Sequence, residues 1–244
     1  MKKVELIPLL SLPLVKPGDD ISSLIANACQ QEKISLRNND IIVIAQKIIS
    51  KAENALVDLK TVIPSEKASE IASQTGRDPR LVQVYLDESS DVLYVKGRAV
   101  VTRHRSGMIM SSSGVDRSNV AEHAEGIVVL LPRDCDRSAQ NIREGIRRLM
   151  KKKTAVIISD SGGRSDRKGS IGTAIGLAGI AAVEQRDQKD LFGNPTKSEI
   201  ALVDELAAAA SMLMGQADEM IPVVIVRGVM HTVADDVSIS DILN

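Results

Sequence analysis

The chain has almost no aromatic residues. Tyr85, Tyr94 and Phe192 are the only three in 244 positions, and tryptophan is absent. Stacking platforms for single-stranded nucleic acid need such rings and cannot be built here, and the core has to be aliphatic. Net charge is nearly absent as well: 31 Lys and Arg stand against 32 Asp and Glu, a formal charge of −1. No global basic field exists to hold a phosphate backbone, so a nucleic-acid partner is not expected. Cysteine is reduced to Cys29 and Cys135, with no Cys-x-x-Cys spacing, which reads as reduced intracellular thiols. The longest apolar run, 171–183, is shorter than the ~20 residues a membrane-spanning helix needs. The N-terminal segment carries Lys2 and Lys3 but no long apolar stretch ending at a small-residue cleavage site. A soluble, cytoplasmic protein is the expectation, with no membrane partner.

Two nucleotide fingerprints are also missing. Gly169, Gly172, Gly176 and Gly179 do not spell Gly-x-Gly-x-x-Gly, and no Gly-x₄-Gly-Lys-Ser/Thr occurs. The spacing of Gly172, Gly176 and Gly179 suggests a helix from Ile171 packed closely through small residues. The alternative is a segment lining a phosphate pocket.

What is present alternates between aliphatic runs and helical patterns. Pro17-Gly18-Asp19-Asp20 is a turn with a capping aspartate, followed by Ile21, Leu24, Ile25 and Ala28 on one helical face. The run 40–45 is a buried strand, with Gln46, Lys47 and Lys51 just beyond it. A helix opens at Pro64-Ser65-Glu66 and stops at Gly76, and Pro79 starts another turn carrying Leu81, Val82 and Val84. Strands are expected at 92–95, 99–102, 108–110, 127–131, 154–159 and 222–226. Helices are expected from Asp136 to the Lys151–Lys153 cluster and over 198–214.

Two polar loops carry the most chemistry. Ser111-Ser112-Ser113-Gly114-Val115-Asp116-Arg117-Ser118-Asn119 and Ile157-Ile158-Ser159-Asp160-Ser161-Gly162-Gly163-Arg164 each place one aspartate and one arginine beside an apolar run. Two such carboxylates can share a hard ion such as Mg²⁺, whose remaining shell is left to water and phosphates. Asn119 and Ser161 add neutral donors beside them. His104, His123 and His231 are scattered without metal-ligand spacing. His104 lies with Arg103 and Arg105 just ahead of the first loop, a cluster that reads either as meeting an anionic substrate or as a solvated turn. Gly215 to Glu219 reads as a helix C-cap and polar loop or as part of a site.

These motifs together resemble the coenzyme F420-0:L-glutamate ligase family. The resemblance runs from Leu12-Pro13-Leu14-Val15-Lys16-Pro17-Gly18-Asp19-Asp20 through Gln46-Lys47-Ile48-Ile49-Ser50-Lys51, Gly114-Val115-Asp116-Arg117-Ser118-Asn119 and Leu131-Pro132-Arg133-Asp134-Cys135-Asp136-Arg137-Ser138-Ala139 to Ser159-Asp160-Ser161 and Pro222-Val223-Val224-Ile225-Val226-Arg227-Gly228. It implies an α+β (mixed α/β) fold with mixed sheets and flanking helices. The expected organisation is one ligase domain over 1–244, built of two interleaved subdomains with boundaries near 105 and 215. The implied activity is GTP-dependent addition of L-glutamate, in γ-linkage, to coenzyme F420-0 by a homodimer using two Mg²⁺ or Mn²⁺ ions, with K⁺ as a further cofactor. An alternative is the same chemistry on another carboxylate acceptor, or nucleotide binding without catalysis. Carried over motif by motif, Asp116 and Asp160 are catalytic metal carboxylates, and Ser161 and Gln216 ligands of a second ion or of the nucleotide. The nucleotide site comprises Leu10, Ser11, Leu12, Pro13, Gln46, Lys47, Lys51 and Asn119, closed by Met214, Gly215, Gln216, Ala217, Asp218, Glu219, Met220 and Ile221. After Ser161 the chain departs from the family pattern: Gly162, Ser165 and Asp166 stand near positions where aromatics are expected, in a loop that borders the acceptor.

Overall fold

A computed structural model describes residues 3–120, 125–163 and 167–243. In chain order its elements are β1 (Glu5–Pro8), α1 (Ile21–Gln31), β2 (Ile41–Ala45), α2 (Gln46–Ala52), β3 (Leu56–Asp58), α3 (Glu66–Thr75), α4 (Pro79–Asp87), β4 (Ser89–Lys96), β5 (Ala99–His104), β6 (Ile109–Ser111), β7 (Ile127–Val129), α5 (Cys135–Met150), β8 (Ala155–Gly163), β9 (Ser170–Ala178), β10 (Glu184–Lys189), β11 (Pro195–Ile200), α6 (Leu202–Met214) and β12 (Val223–Arg227). The fold is mixed α/β, as the resemblance implied.

Local chemistry sets many of these boundaries. Asp20 caps α1 by accepting from the Ser22 N–H, and Ser65 and Asp78 do the same for α3 and α4. Gly76 ends α3 in the left-handed region at φ 66°, where a side chain would be strained. The helix expected from Asp136 starts one residue earlier, at Cys135, because Asp134 accepts from the Arg137 N–H and is the cap.

The main sheet has the order β1-β12-β2-β8-β9. Its central pair, β2 and β8, is parallel, and the other pairs are antiparallel. β2 and β12 are aliphatic runs buried up to their last residue, and β8 is aliphatic and buried over its first half, which is what a strand covered on both faces requires; from Asp160 on, β8 is polar and partly exposed. α6 lies against all five strands, while α5 packs on β8 and β9 and carries α1. A second apolar cluster gathers Leu59, Ala68, Ile71, Leu81, Val82, Tyr85, Val100 and Val128 from α3, α4, β5, β7 and their neighbours. It is separate from the large cluster around the main sheet.

Three expectations need correction. The glycine-spaced segment from Ile171 is the strand β9. It pairs with β8, and the register slips between Ile158 and Ser159. Close packing is nevertheless why its glycines are there. A Cβ at Gly172 would come within 2.5 Å of the Ala207 carbonyl of α6, and one at Gly176 within 2.5 Å of the Cys135 Cβ of α5. The helix expected over 198–214 begins only at Leu202, because 195–200 pairs antiparallel with β10 as an exposed hairpin arm. Finally, β8 runs on through Gly163, so Asp160 belongs to a strand rather than a loop.

Candidate functional site

The sheet brings most of the singled-out residues to one end. β1 and β2 point the same way, each being antiparallel to β12, and β8 is parallel to β2. The C-terminal ends of β1, β2 and β8 and the start of β12 therefore lie in one row. Backbone hydrogen bonds tie this row together: Leu9 N–H donates to Val223 O at 3.0 Å and Ala45 N–H to Pro222 O at 2.8 Å. Reading across the row gives Leu10–Pro13, the 214–221 loop, Gln46 with Lys47, and Asp160 with Ser161. This is the place where ligands bind in open α/β sheets.

Asp116 joins the row from the side. Its backbone exchanges hydrogen bonds with Val129 at 2.9 and 2.8 Å, which fixes the loop on the end of β7. Its side chain meets Lys47 Nζ through Oδ2 at 2.7 Å. Oδ1 accepts from the Ser118 N–H at 2.7 Å and Ser118 Oγ at 2.9 Å, and Lys47 Nζ donates to Ser118 Oγ at 2.8 Å. Burial works against the Asp116 charge, but Lys47 and Ser118 outweigh it and hold its pKa below the usual carboxylate value.

Asp160 has the opposite balance. Burial, with the charge of Asp116 adding to it, pushes its pKa up to about 6, although the Ser161 N–H, Lys47 and the Gln46 side chain all favour the charged form. The Ser161 N–H donates to Asp160 Oδ1 at 2.8 Å. Gln46 is buried, and its Oε1 accepts from Ser50 Oγ at 2.8 Å, which holds the amide in place. Lys51, one helical turn beyond Lys47, has its pKa lowered by burial and by Lys47, with Asp116 partly offsetting both.

Two carboxylates thus share one lysine bonded directly to only one of them. Such a pair is short of positive charge, and its donors are hard oxygens, so the residues fit a divalent ion of the Mg²⁺ type. Asp116 and Asp160 are the residues that would hold it. Ser161 follows Asp160 on a strand, where successive side chains take opposite faces, so its hydroxyl would suit a different ion from the one that Asp160 and Asp116 would hold.

Asn119 Nδ2 donates to Ala217 O at 2.8 Å and links the first aspartate loop to the 214–221 loop. That loop leaves α6 at Gly215 with φ 69° and is braced by the Ala217 N–H donating to Glu219 Oε2 at 2.8 Å. Met214 ends α6, Gln216, Asp218 and Met220 are exposed, and Ile221 leads back into the core. No hydrogen bond or ion pair joins Gln216 to either aspartate among the described residues.

The remaining singled-out residues make contacts of their own. The backbone N–H groups of Leu10 and Ser11 both donate to Glu32 Oε1 at 2.8 Å, and Ser11 Oγ does so at 2.7 Å. Leu12 is in the core and Pro13 is exposed. The cations around His104 contact groups of their own chain. His104 is buried with Nδ1 2.8 Å from Ser106 Oγ, Arg105 pairs with buried Glu88, and Arg103 donates to Gly107 O at 3.3 Å. Turning inward satisfies a carboxylate that burial would otherwise leave unpaired. His231 lies far along the chain with Nδ1 3.4 Å from Val229 O. His123, Arg164, Ser165 and Asp166 lie outside the described residues.

Ser118 and Glu32 were not singled out from the sequence. The Asp-x-Ser spacing of Asp116 and Ser118 is a recognisable local turn signal. Glu32 gives no such signal, because its partners lie 21 and 22 residues earlier.

Comparison with known proteins identifies the family. Residues 9–228 match the family model described as F420-0:gamma-glutamyl ligase. A coenzyme F420:L-glutamate ligase of Methanocaldococcus jannaschii is 45% identical over 93% of this chain and 88% of its own length. One from Methanothermobacter thermautotrophicus is 42% identical over 92% and 89%, and one from Archaeoglobus fulgidus is 38% identical over 93% and 88%. The row of strand ends that unites Asp116, Lys47 and Asp160 lies inside the matched span, and the chain belongs to the F420-0:gamma-glutamyl ligase family.

Proposed function

We propose that this protein joins L-glutamate, through an amide in γ-linkage, to the terminal carboxylate of coenzyme F420-0, using GTP to activate that carboxylate. The relatives' names supply the substrates, and a carbon–nitrogen ligase needs an activation step because a carboxylate is a poor electrophile. The carboxylate oxygen attacks the γ-phosphorus of GTP, the bond to the β–γ bridging oxygen breaks, and GDP leaves. The resulting acyl phosphate is attacked by the amine of glutamate. Phosphate departs with the electron pair of the C–O bond, and the amine proton is lost to solvent.

The observation that carries this reading is the pair of near, under-neutralised carboxylates, Asp116 and Asp160, beside Lys47 at the sheet end. Two Mg²⁺ or Mn²⁺ ions, when bound, would supply charge stabilisation on the phosphates, and K⁺ is a further candidate cofactor. Lys47 and Lys51 reach the phosphates as point charges, and Gln46 and Ser118 keep the polar side chains in place. Strands lie ~4.8 Å apart, so the row from β1 to β8 spans roughly 14 Å, room for an extended nucleotide between Leu10–Pro13 and Asp160. Asn119 and the 214–221 loop close it from the side.

A homodimer is part of the proposal. The β10–β11 arm carries Leu191 and Phe192 at its tip, 100% and 90% exposed, and a second copy would cover them. A Phe192→Ser variant that still sediments as wild type would remove that support. No helix among the described residues is long and apolar enough to cross a membrane.

The mechanism is tested with ¹⁸O in the acceptor carboxylate. One labelled oxygen should leave in inorganic phosphate as the amide forms. Unlabelled phosphate released alongside amide would exclude the acyl phosphate.

A further inference from the structure

The proposed function treats Lys47 as a contact to phosphate, yet the structure bonds it to a carboxylate. Its Nζ lies 2.7 Å from Asp116 Oδ2 and 2.8 Å from Ser118 Oγ. Ser118 meanwhile fills Asp116 Oδ1 twice, through its N–H and its hydroxyl. The carboxylate is therefore pinned with Oδ2 as the oxygen left for a cation, and Lys47 holds that place. A divalent ion bonds a carboxylate oxygen at about 2.1 Å, so on Oδ2 it would come within a few ångströms of the ammonium. Two cations so close in a half-buried site repel, and one of them has to leave.

We propose that Lys47 is a placeholder cation whose position at Asp116 is taken by the divalent ion, and that the freed ammonium passes to the phosphates of the nucleotide. This rests on the metal-and-nucleotide reading above and adds a regulation to it: metal and nucleotide bind interdependently, because each accepts what the other displaces. Ser118 is the positioning residue of the exchange. It orients Asp116 by two hydrogen bonds and accepts from Lys47 in the starting arrangement. Lys51 does not compete for the place, since Asp116 forms its ion pair with Lys47.

The test is Mn²⁺ binding by the folded protein, read from the free-ion electron paramagnetic resonance signal with and without GDP. Wild type should bind Mn²⁺ weakly alone and at least tenfold more tightly with GDP. Lys47→Met should bind Mn²⁺ alone about tenfold more tightly than wild type, and the gain from adding GDP should shrink. Lys47→Arg keeps the charge and should stay weak. If Lys47→Met binds Mn²⁺ alone as weakly as wild type, or more weakly, the placeholder role is wrong. Lys47→Gln repeats the comparison should the Met variant not fold. Asp116→Asn separates the two levels. If it loses Mn²⁺ while Lys47→Met is unchanged, only the placeholder fails, and if it binds Mn²⁺ like wild type, the metal site at Asp116 fails with it.

Discussion

The charged clusters around Glu88 and around Lys47 are both half-buried, and they are balanced in opposite ways. Around Glu88, one carboxylate meets the Arg105 guanidinium and has His104 Nε2 3.8 Å away. Burial opposes its charge, but these partners prevail and its pKa falls below the ordinary value. Around Lys47, two carboxylates share one ammonium that is bonded directly to Asp116 alone, and burial pushes the pKa of Asp160 up to about 6. A carboxylate whose charge is met by its own chain needs no further cation. A cluster left short of positive charge is costly in isolation and becomes favourable once a cation arrives, which is the behaviour expected of a site.

The comparison breaks most visibly through activity. Asp116→Asn and Asp160→Asn each remove a negative ligand at constant size and should lower the rate of glutamate addition on the order of a thousandfold while the circular dichroism spectrum is kept. Near-normal turnover of either variant at saturating Mg²⁺ would put both aspartates back among ordinary polar residues. Glu88→Gln should do the reverse. Removing one partner of a buried pair costs about 2 kcal/mol, visible as a lower urea midpoint, whereas kcat and the KM for each of the three substrates should stay within twofold of wild type. A loss of activity at unchanged stability would make the Glu88 cluster functional after all.

A third, smaller effect sharpens the contrast through pH. A carboxyl whose folded pKa is raised from ~3.9 to about 6 binds its proton more tightly when folded. Its contribution to stability is complete below ~3.9 and is lost as pH rises through about 6. With a chelator present, Asp160→Asn should therefore melt a few degrees above wild type at pH 7 and at the same temperature near pH 4. An equal difference at both pH values would mean that Asp160 is not strained by its surroundings. Glu88→Gln should show the opposite trend, since a lowered pKa gives stability that is present above the ordinary carboxylate value and lost as pH falls.

Much of the molecule is legible in the sequence, and for local reasons. Asp20 before an apolar helical face gave α1, Gly76 gave the end of α3, and the run Ile41–Ala45 gave β2, because capping, left-handed turns and β-branched burial are settled within a few residues. The family motifs also pointed to Asp116 and Asp160, whose polar neighbours lie beside them in the chain.

What the tertiary structure alone decided is pairing across distance. The segment after Ile171 is a strand because β8 offers it a hydrogen-bonding edge and α5 and α6 leave no room for side chains at Gly176 and Gly172; its glycines by themselves suit a helix interface equally well. The polar stretches 184–189 and 195–200 have no apolar periodicity, and only their mutual ladder makes them an arm. Whether a charge faces outward or inward is likewise invisible in the chain. Arg105 turns to Glu88, 17 positions away, and Lys47 to Asp116, 69 positions away, because a buried carboxylate draws whichever cation the fold brings within reach.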